Sequence, residues 1–297
     1  MVHSKSFINL LSVKMSGLKQ FLFHVLLRTT AVVCVILFGA WGIKETWRSL
    51  TDLTVFKASP NDFSFHFPAW VTDRALVDMK KIRGLNERYG MYDNNLTQKI
   101  AGIYENVVLV KKVESVRRVF PNTLNIKLVL RKPAAVVKNG DNTYLVDEDC
   151  VLLAKEYYTL PNAEYDSPCI QSAKLAKLPL LGHEWNDKGV KAGIALMRFL
   201  KANNVPSLFK IYAMDVSNVC KKRSTGKSDI ILWTENNTQI RWGCSPVCND
   251  PGELPEKEKL QNLLSVAKSE GTLLEQMEYV DVRWKKPVGK LWAKANE

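Results

Sequence analysis

A chain of 297 residues with 46% hydrophobic and 24% charged residues has ordinary globular composition, long enough for an anchor plus one or two compact domains. Its formal charge of +12 raises nucleic acid as a partner, but Lys5, Lys14, Lys19 and Arg28 precede the first acid, Glu45, and the remaining +8 is scattered. With no basic stripe carrying interleaved aromatics, the electrostatic footprint of a nucleic-acid binder is absent.

The basic start, residues 1–20, leads into an apolar run at 21–43, FLFHVLLRTTAVVCVILFGAWGI, which carries no charge from Thr29 to Ile43. About 20 apolar residues span a bilayer core, so this run is predicted to be a transmembrane helix. His24 and Arg28 lie near its start, where an Arg snorkels to the headgroups, and Trp41 and Trp47 stand at the opposite boundary as belt aromatics do. The Lys-only flank before the run predicts a cytoplasmic tail, with everything beyond about residue 44 exported. A cleaved signal peptide has a similar look, but the basic region is long, the apolar run is long, and no small-x-small site follows.

A juxtamembrane linker at 44–62 ends in the turn signal SPND. FSFHFPAWV (63–71) reads as a strand. Thr72 or Asp73 caps a helix to about Gly84, and a second helix carries Leu96, Ile100, Ile103, Tyr104 and Val107 on one face. In 113–133, Leu124, Ile126, Leu128 and Leu130 alternate with polar neighbours, and Pro121-Asn122 marks a turn between two strands. The order strand, helix, helix, strand, strand predicts a compact domain at 63–132.

From 133 to 292 the texture is mostly β with two helices. Strands are predicted at AAVVK, TYLVD, CVLLA, FKIYAMDV, DIILWT, TQIRWG and EYVDVRW. One helix covers 186–203, started by Asn186 or Asp187, and another surrounds Leu260, Leu263, Leu264 and Ala267. Residues 293–297 form a short tail. The fold class is therefore α+β behind a transmembrane helix.

Five of the six cysteines follow the anchor, where an oxidising compartment permits disulfides, and Cys244 with Cys248 in GCSPVC is the nearest local pair. A zinc site there needs two more ligands at suitable spacing, and the other cysteines are isolated from one another. Gly226-Lys227-Ser228 mimics the end of a phosphate loop, but Lys221 stands where the loop needs Gly. Asp147, Glu148 and Asp149 crowd one strand turn, where acids are usually solvated, and His66 and His183 have no motif linking them to a nucleophile. No catalytic constellation, metal or cofactor is expected; the competing reading is an anchored envelope enzyme acting on the cell wall through Cys150 or Cys220 with His183.

The stretch SVRRVFPNTLNIKLVLRKPAAVV followed by TYLVDEDCVLL resembles the signature of the FtsQ/DivIB family of bacterial cell division proteins. LPLLG (178–182), TQIRWG (238–243) and YVDVRWKKPVG (279–289) resemble three later blocks of that family in its order and spacing. Phe120 stands where the family often has Trp, and Cys150 where Gly is usual. The resemblance covers about residues 63–292 and implies a POTRA domain (β-α-α-β-β) at 63–132 and the family's β domain at 133–292. It further implies a non-enzymatic, single-pass scaffold of the inner membrane at the division septum, where FtsB-like and FtsL-like partners bind its last β segment and septal peptidoglycan synthesis is controlled. The POTRA domain would dock other divisome proteins.

Matched to the family motif, Arg283, Trp284, Val288, Gly289 and Trp292 are the candidate partner-binding residues. An edge strand offers unpaired N–H and C=O groups to an extended segment, and Trp and Arg dominate interface energetics. In EYVDVRW, Trp284 shares a face with Val280 and Val282, so a core role for it stays open, whereas Arg283 alternates to the opposite face with Tyr279. Arg117, Arg118, Arg131 and Lys132 serve either a partner or a solvated sheet face.

Overall fold

In a computed structural model describing residues 3–159, 168–172, 175–221, 224–245, 252–269 and 273–292, the N-terminal run forms one helix, α1 (His3–Thr51). Its stretch Leu26–Thr51 is long and apolar enough to cross a membrane. The helix continues past the expected boundary at Ile43 because KETWRS contains neither Pro nor Gly and is built of tolerable helix formers. Next come β1 (Lys57–Ala58), β2 (Phe63–Phe65), α2 (Asp73–Lys80), β3 (Tyr89–Gly90), α3 (Leu96–Glu105), β4 (Val110–Val119) and β5 (Thr123–Leu130). The β-rich remainder contains β6 (Ala135–Asn139), β7 (Asn142–Val146), β8 (Leu152–Leu153), β9 (Cys169–Gln171), α4 (Lys188–Ala202), β10 (Ile211–Asp215), β11 (Ile230–Thr234) and β12 (Gln239–Gly243). The last elements are α5 (Glu256–Ser269), α6 (Leu273–Gln276), β13 (Met277–Asp281) and β14 (Val288–Leu291). The fold is mixed α+β, with one apolar N-terminal helix and a large, mostly β C-terminal region.

The chain divides into two compact units. The first comprises Met1–Asp62, Asn86–Leu96 and Arg118–Leu124. Within it β1 pairs antiparallel with β3, and Ser59 is held by the Asp62 carboxylate, which accepts its N–H at 2.9 Å and its hydroxyl at 2.7 Å. The second comprises Phe63–Leu85, Thr97–Arg117 and Asn125–Glu297. This division runs through the expected 63–132 segment.

In the second unit Thr72 caps α2, its hydroxyl accepting the Ala75 N–H and donating to the Glu156 carbonyl. Ala75, Leu109, Leu145, Leu153 and Tyr158 form an apolar cluster, onto which Trp70 stacks. This is why α2 and β7 fold as parts of one body. Arg131 reinforces the join, its guanidinium donating to the buried Asp147 carboxylate at 2.6 Å. Asp147 also accepts the N–H groups of Asp149 and Val151, so the acidic turn is a capped and paired turn. Among the described residues no cluster of His, Cys, Asp or Glu suits a metal ion.

A three-stranded sheet has the order β2-β5-β4, and Leu124 and Ile126 of β5 are buried while Asn125 and Lys127 are exposed, as period two requires. The strand expected over 63–71 shortens to β2, because Pro68 removes a ladder donor. The large sheet is nine-stranded with the order β14-β13-β12-β11-β10-β9-β6-β7-β8. Three of its neighbouring pairs are parallel, β6 with β9, β9 with β10 and β12 with β13, and the last two join strands that are consecutive in the chain. Parallel neighbours need a long crossover, and α4 and α5 supply it. Both pack on the main core, α4 through Val190, Ile194 and Leu200 and α5 through Leu260 and Leu263. Gly193 lets α4 approach closely: a Cβ there would lie 2.9 Å from Ile170 of β9.

Asp187 starts α4 by accepting the N–H groups of Gly189 and Val190 at 2.7 and 3.0 Å, and its other oxygen accepts Ala176 N–H at 2.8 Å. Asp187→Ala therefore removes a cap worth about 1 kcal/mol and strands a second donor worth about 1–3 kcal/mol. The thermal midpoint is expected to fall by about 5–10 °C. Asp187→Asn, which still caps but cannot accept from Ala176 in the same way, should lose less by the same measurement.

Candidate functional site

Among the described residues the sheet ends on β14, which pairs antiparallel with β13 through Val280↔Gly289 and Asp281↔Val288 and has no strand on its other side. All four of its residues are exposed. Val288, Leu291 and Trp292 are large apolar side chains in the open, and Trp284, at the turn before the strand, is 44% exposed. Among the described residues these make an apolar group along one sheet edge. The edge is held on its inner side by Trp292 N–H on the Gln276 carbonyl at 2.9 Å and by Lys290 against Glu278 at 2.5 Å. Gly289 lies close against β13, where an added Cβ would come within 2.9 Å of the Met277 methyl, the movable end of a flexible side chain.

Arg283 does not belong to that exposed group. It is only 9% exposed, with its Nε and one terminal nitrogen donating to the two Asp281 oxygens at 2.9 and 2.7 Å. The expectation of an outward Arg283 extrapolated strand alternation past Asp281, where β13 has already ended. Beyond that point the chain turns and carries the guanidinium inward, and the Asp281 hydrogen bonds hold its pKa above the usual arginine range. The same guanidinium lies 5.1 Å from the Trp284 ring, while Asn262 of α5 donates to the Trp284 carbonyl at 2.8 Å. Trp284 is thus exposed on a backbone that is pinned from two sides. Its core reading fails because Val282 is buried and Trp284 is not.

Beneath the edge lies a buried ion network that the sequence did not announce. Glu253 receives Lys259 Nζ at 2.7 Å and the Cys244 N–H at 2.7 Å on one oxygen, and its other oxygen stands 3.9 Å from Arg283 and 3.8 Å from Lys221. Lys221 in turn pairs with Asp229 at 3.1 Å. The Lys259 side chain is only 2% exposed and also donates to the Cys244 carbonyl. Gly243 is obligatory here: its φ is +85°, and a Cβ would fall 2.0 Å from Glu253 Oε2. Glu253 and Lys259 sit in the polar run GELPEKEK, where burial has no hydrophobic signature.

The expected Cys244–Cys248 pairing does not form at Cys244, which keeps a buried free thiol, while Cys220 is disulfide-bonded. Cys248 lies outside the described residues. Burial raises the Cys244 thiol to about 11 and the Cys150 thiol likewise to about 11. A nucleophilic cysteine needs the opposite shift. His183, the partner such a cysteine would need, has its Nδ1 3.2 Å from the Leu181 carbonyl.

Two measurements probe this site. Glu253→Ala leaves Lys259 buried without a carboxylate and should cost about 3–5 kcal/mol in urea unfolding. Glu253→Leu with Lys259→Met should recover at least half of that loss, since no buried charge is then orphaned. In thiol footprinting without reductant, Cys244 should be alkylated only after unfolding, and Cys220 only once reductant is added; rapid alkylation of Cys244 in the native chain would contradict its burial.

A scan of protein-family models matches none to this chain, and a search of curated proteins finds no match to it.

Proposed function

We propose that this chain is a bitopic scaffold of the FtsQ/DivIB type, anchored by α1 with its N-terminus inside, whose β14 edge receives an extended segment of a single-span partner. In this reading 63–132 is a POTRA module and 133–292 the β domain, and the partners are FtsB-like and FtsL-like division proteins at the septum of the inner membrane. The observation that carries it is the outermost strand: among the described residues it has one side without a neighbouring strand and four exposed residues, flanked by two exposed tryptophans. An added strand gains main-chain hydrogen bonds along the free side, and the apolar side chains supply the desolvated contacts that dominate such interfaces. The family resemblance of YVDVRWKKPVG supports the same edge.

Photo-crosslinking probes placed in cells at positions 284, 288, 291 and 292 should trap a small single-span membrane protein. Trp284→Ala and Trp292→Ala should each lower its copurification about tenfold or more while leaving the thermal midpoint within a few degrees. Arg283→Glu should instead unfold the site, because its guanidinium is buried against Asp281. Trapping from none of the four positions, with the chain folded and at the septum, would remove β14 as the docking edge.

A further inference from the structure

The first unit carries a second exposed apolar group. Tyr92 stands at its centre, its ring 5.7 Å from Trp47 of α1, 5.4 Å from Phe56 and 5.4 Å from Phe120 in the turn between β4 and β5. Phe120 remains 53% exposed in spite of that contact, and its neighbour Val119 is exposed as well. Arg118 fixes the turn by donating to the carbonyls of Met91 at 2.9 Å and Asp93 at 2.5 Å. The ring group is therefore a built surface, held to the end of a helix that is apolar enough to cross a bilayer.

We propose that the Val119–Phe120 turn is a second membrane contact, lying with Trp47 and Tyr92 in the headgroup layer of the bilayer that α1 crosses. The inference rests on the anchor reading and adds to it. Its argument is depth. The charge-free run ends at Ile43, and Trp47 follows four residues later, about 6 Å along the axis at 1.5 Å per residue. The headgroup layer is about 5–7 Å thick on each side of the hydrocarbon core. Trp47 thus falls within that layer, and Phe120 stays within two ring contacts of it, 5.7 Å from Trp47 to Tyr92 and 5.4 Å from Tyr92 to Phe120. Trp47 and Tyr92 suit this depth because their rings are apolar while the indole N–H and phenol O–H stay wet, and Phe120 adds wholly apolar surface beside them. Lys44 and Arg48, both exposed on α1, flank the level with charges that suit lipid phosphates. The occupant is accordingly the headgroup and upper acyl region of a phospholipid bilayer.

The test uses the full chain in nanodiscs of phosphatidylethanolamine and phosphatidylglycerol, with p-benzoylphenylalanine replacing Phe120 or, in a second sample, Ile36 within the apolar helix. Irradiation followed by mass spectrometry reads what each position touches. Lipid adducts at position 120 are expected at a yield within about tenfold of that at position 36, as for a group at the headgroup and acyl boundary. Adducts at 36 with none at 120 overturn the second contact and leave the anchor standing. Protein adducts at 120 in place of lipid also overturn it. No lipid adduct at 36 overturns the anchor reading, and the contact falls with it. Val55, another exposed apolar residue of this unit, carries the same probe if the one at 120 disturbs the rings.

Discussion

The carboxylate of Glu253 is the point on which the far end of the large sheet depends. Burying an ion costs several kcal/mol before anything is gained, so Glu253 is tolerable only because Lys259, the Cys244 N–H and Arg283 surround it. Those partners come from three places: the end of β12, the first turns of α5 and the segment after β13. A single side chain thus ties the exit of one strand, the crossover helix and the exit of the parallel neighbour into one arrangement. Replacing Gly243 by any other residue would drive a Cβ into that carboxylate, so the positive φ and the ion pair are parts of the same constraint.

This network explains how the outer strand can be both exposed and ordered. A four-residue strand with one neighbour gains little from its own ladder. Its approach is nevertheless fixed: the Arg283 carbonyl accepts the Leu254 N–H at 3.1 Å, and Asn262 reaches the carbonyls of Val282 and Trp284. The rigidity of the edge is supplied from behind by buried charge, which leaves its side chains free to remain in solvent. Adjacent residues thus play opposite parts, Arg283 buried in the support and Trp284 exposed at the surface.

That adjacency also marks how far sequence reading reaches. Long periodic elements were legible: the alternation in β5, the apolar face of α3 and the Asp187 start of α4 are all where propensity and patterning put them. Strands β6, β7, β11 and β12 were legible for the same reason, each being bounded by a turn signal. Short elements were not. The strand β9 is three residues, Cys169–Gln171, and β14 contains a glycine, so neither builds a period that distinguishes it from loop. At the candidate site the sequence identified Trp284, Val288 and Trp292 as side chains of the right type, and they are exposed. It misplaced Arg283 because period two holds only while the strand lasts, and the strand stops two residues earlier.

The cysteines illustrate a different limit. Proximity in sequence favours Cys244 with Cys248, but a disulfide is decided by where the backbone carries each Cβ, and Cys244 is occupied in another way. Both its N–H and its carbonyl are engaged by the Glu253 and Lys259 pair, which holds the residue inside the sheet's end with its thiol buried. Cys220, on a left-handed backbone position with φ of 58°, adjoins Lys221, whose ammonium reaches Asp229 and Glu253. The disulfide at Cys220 and the ion network are thus neighbours along the chain. They also share an acid: the Cys220 N–H donates to the Asp229 carboxylate at 3.2 Å, the same carboxylate that Lys221 pairs with, so the main chain of the disulfide residue belongs to the support behind the exposed strand.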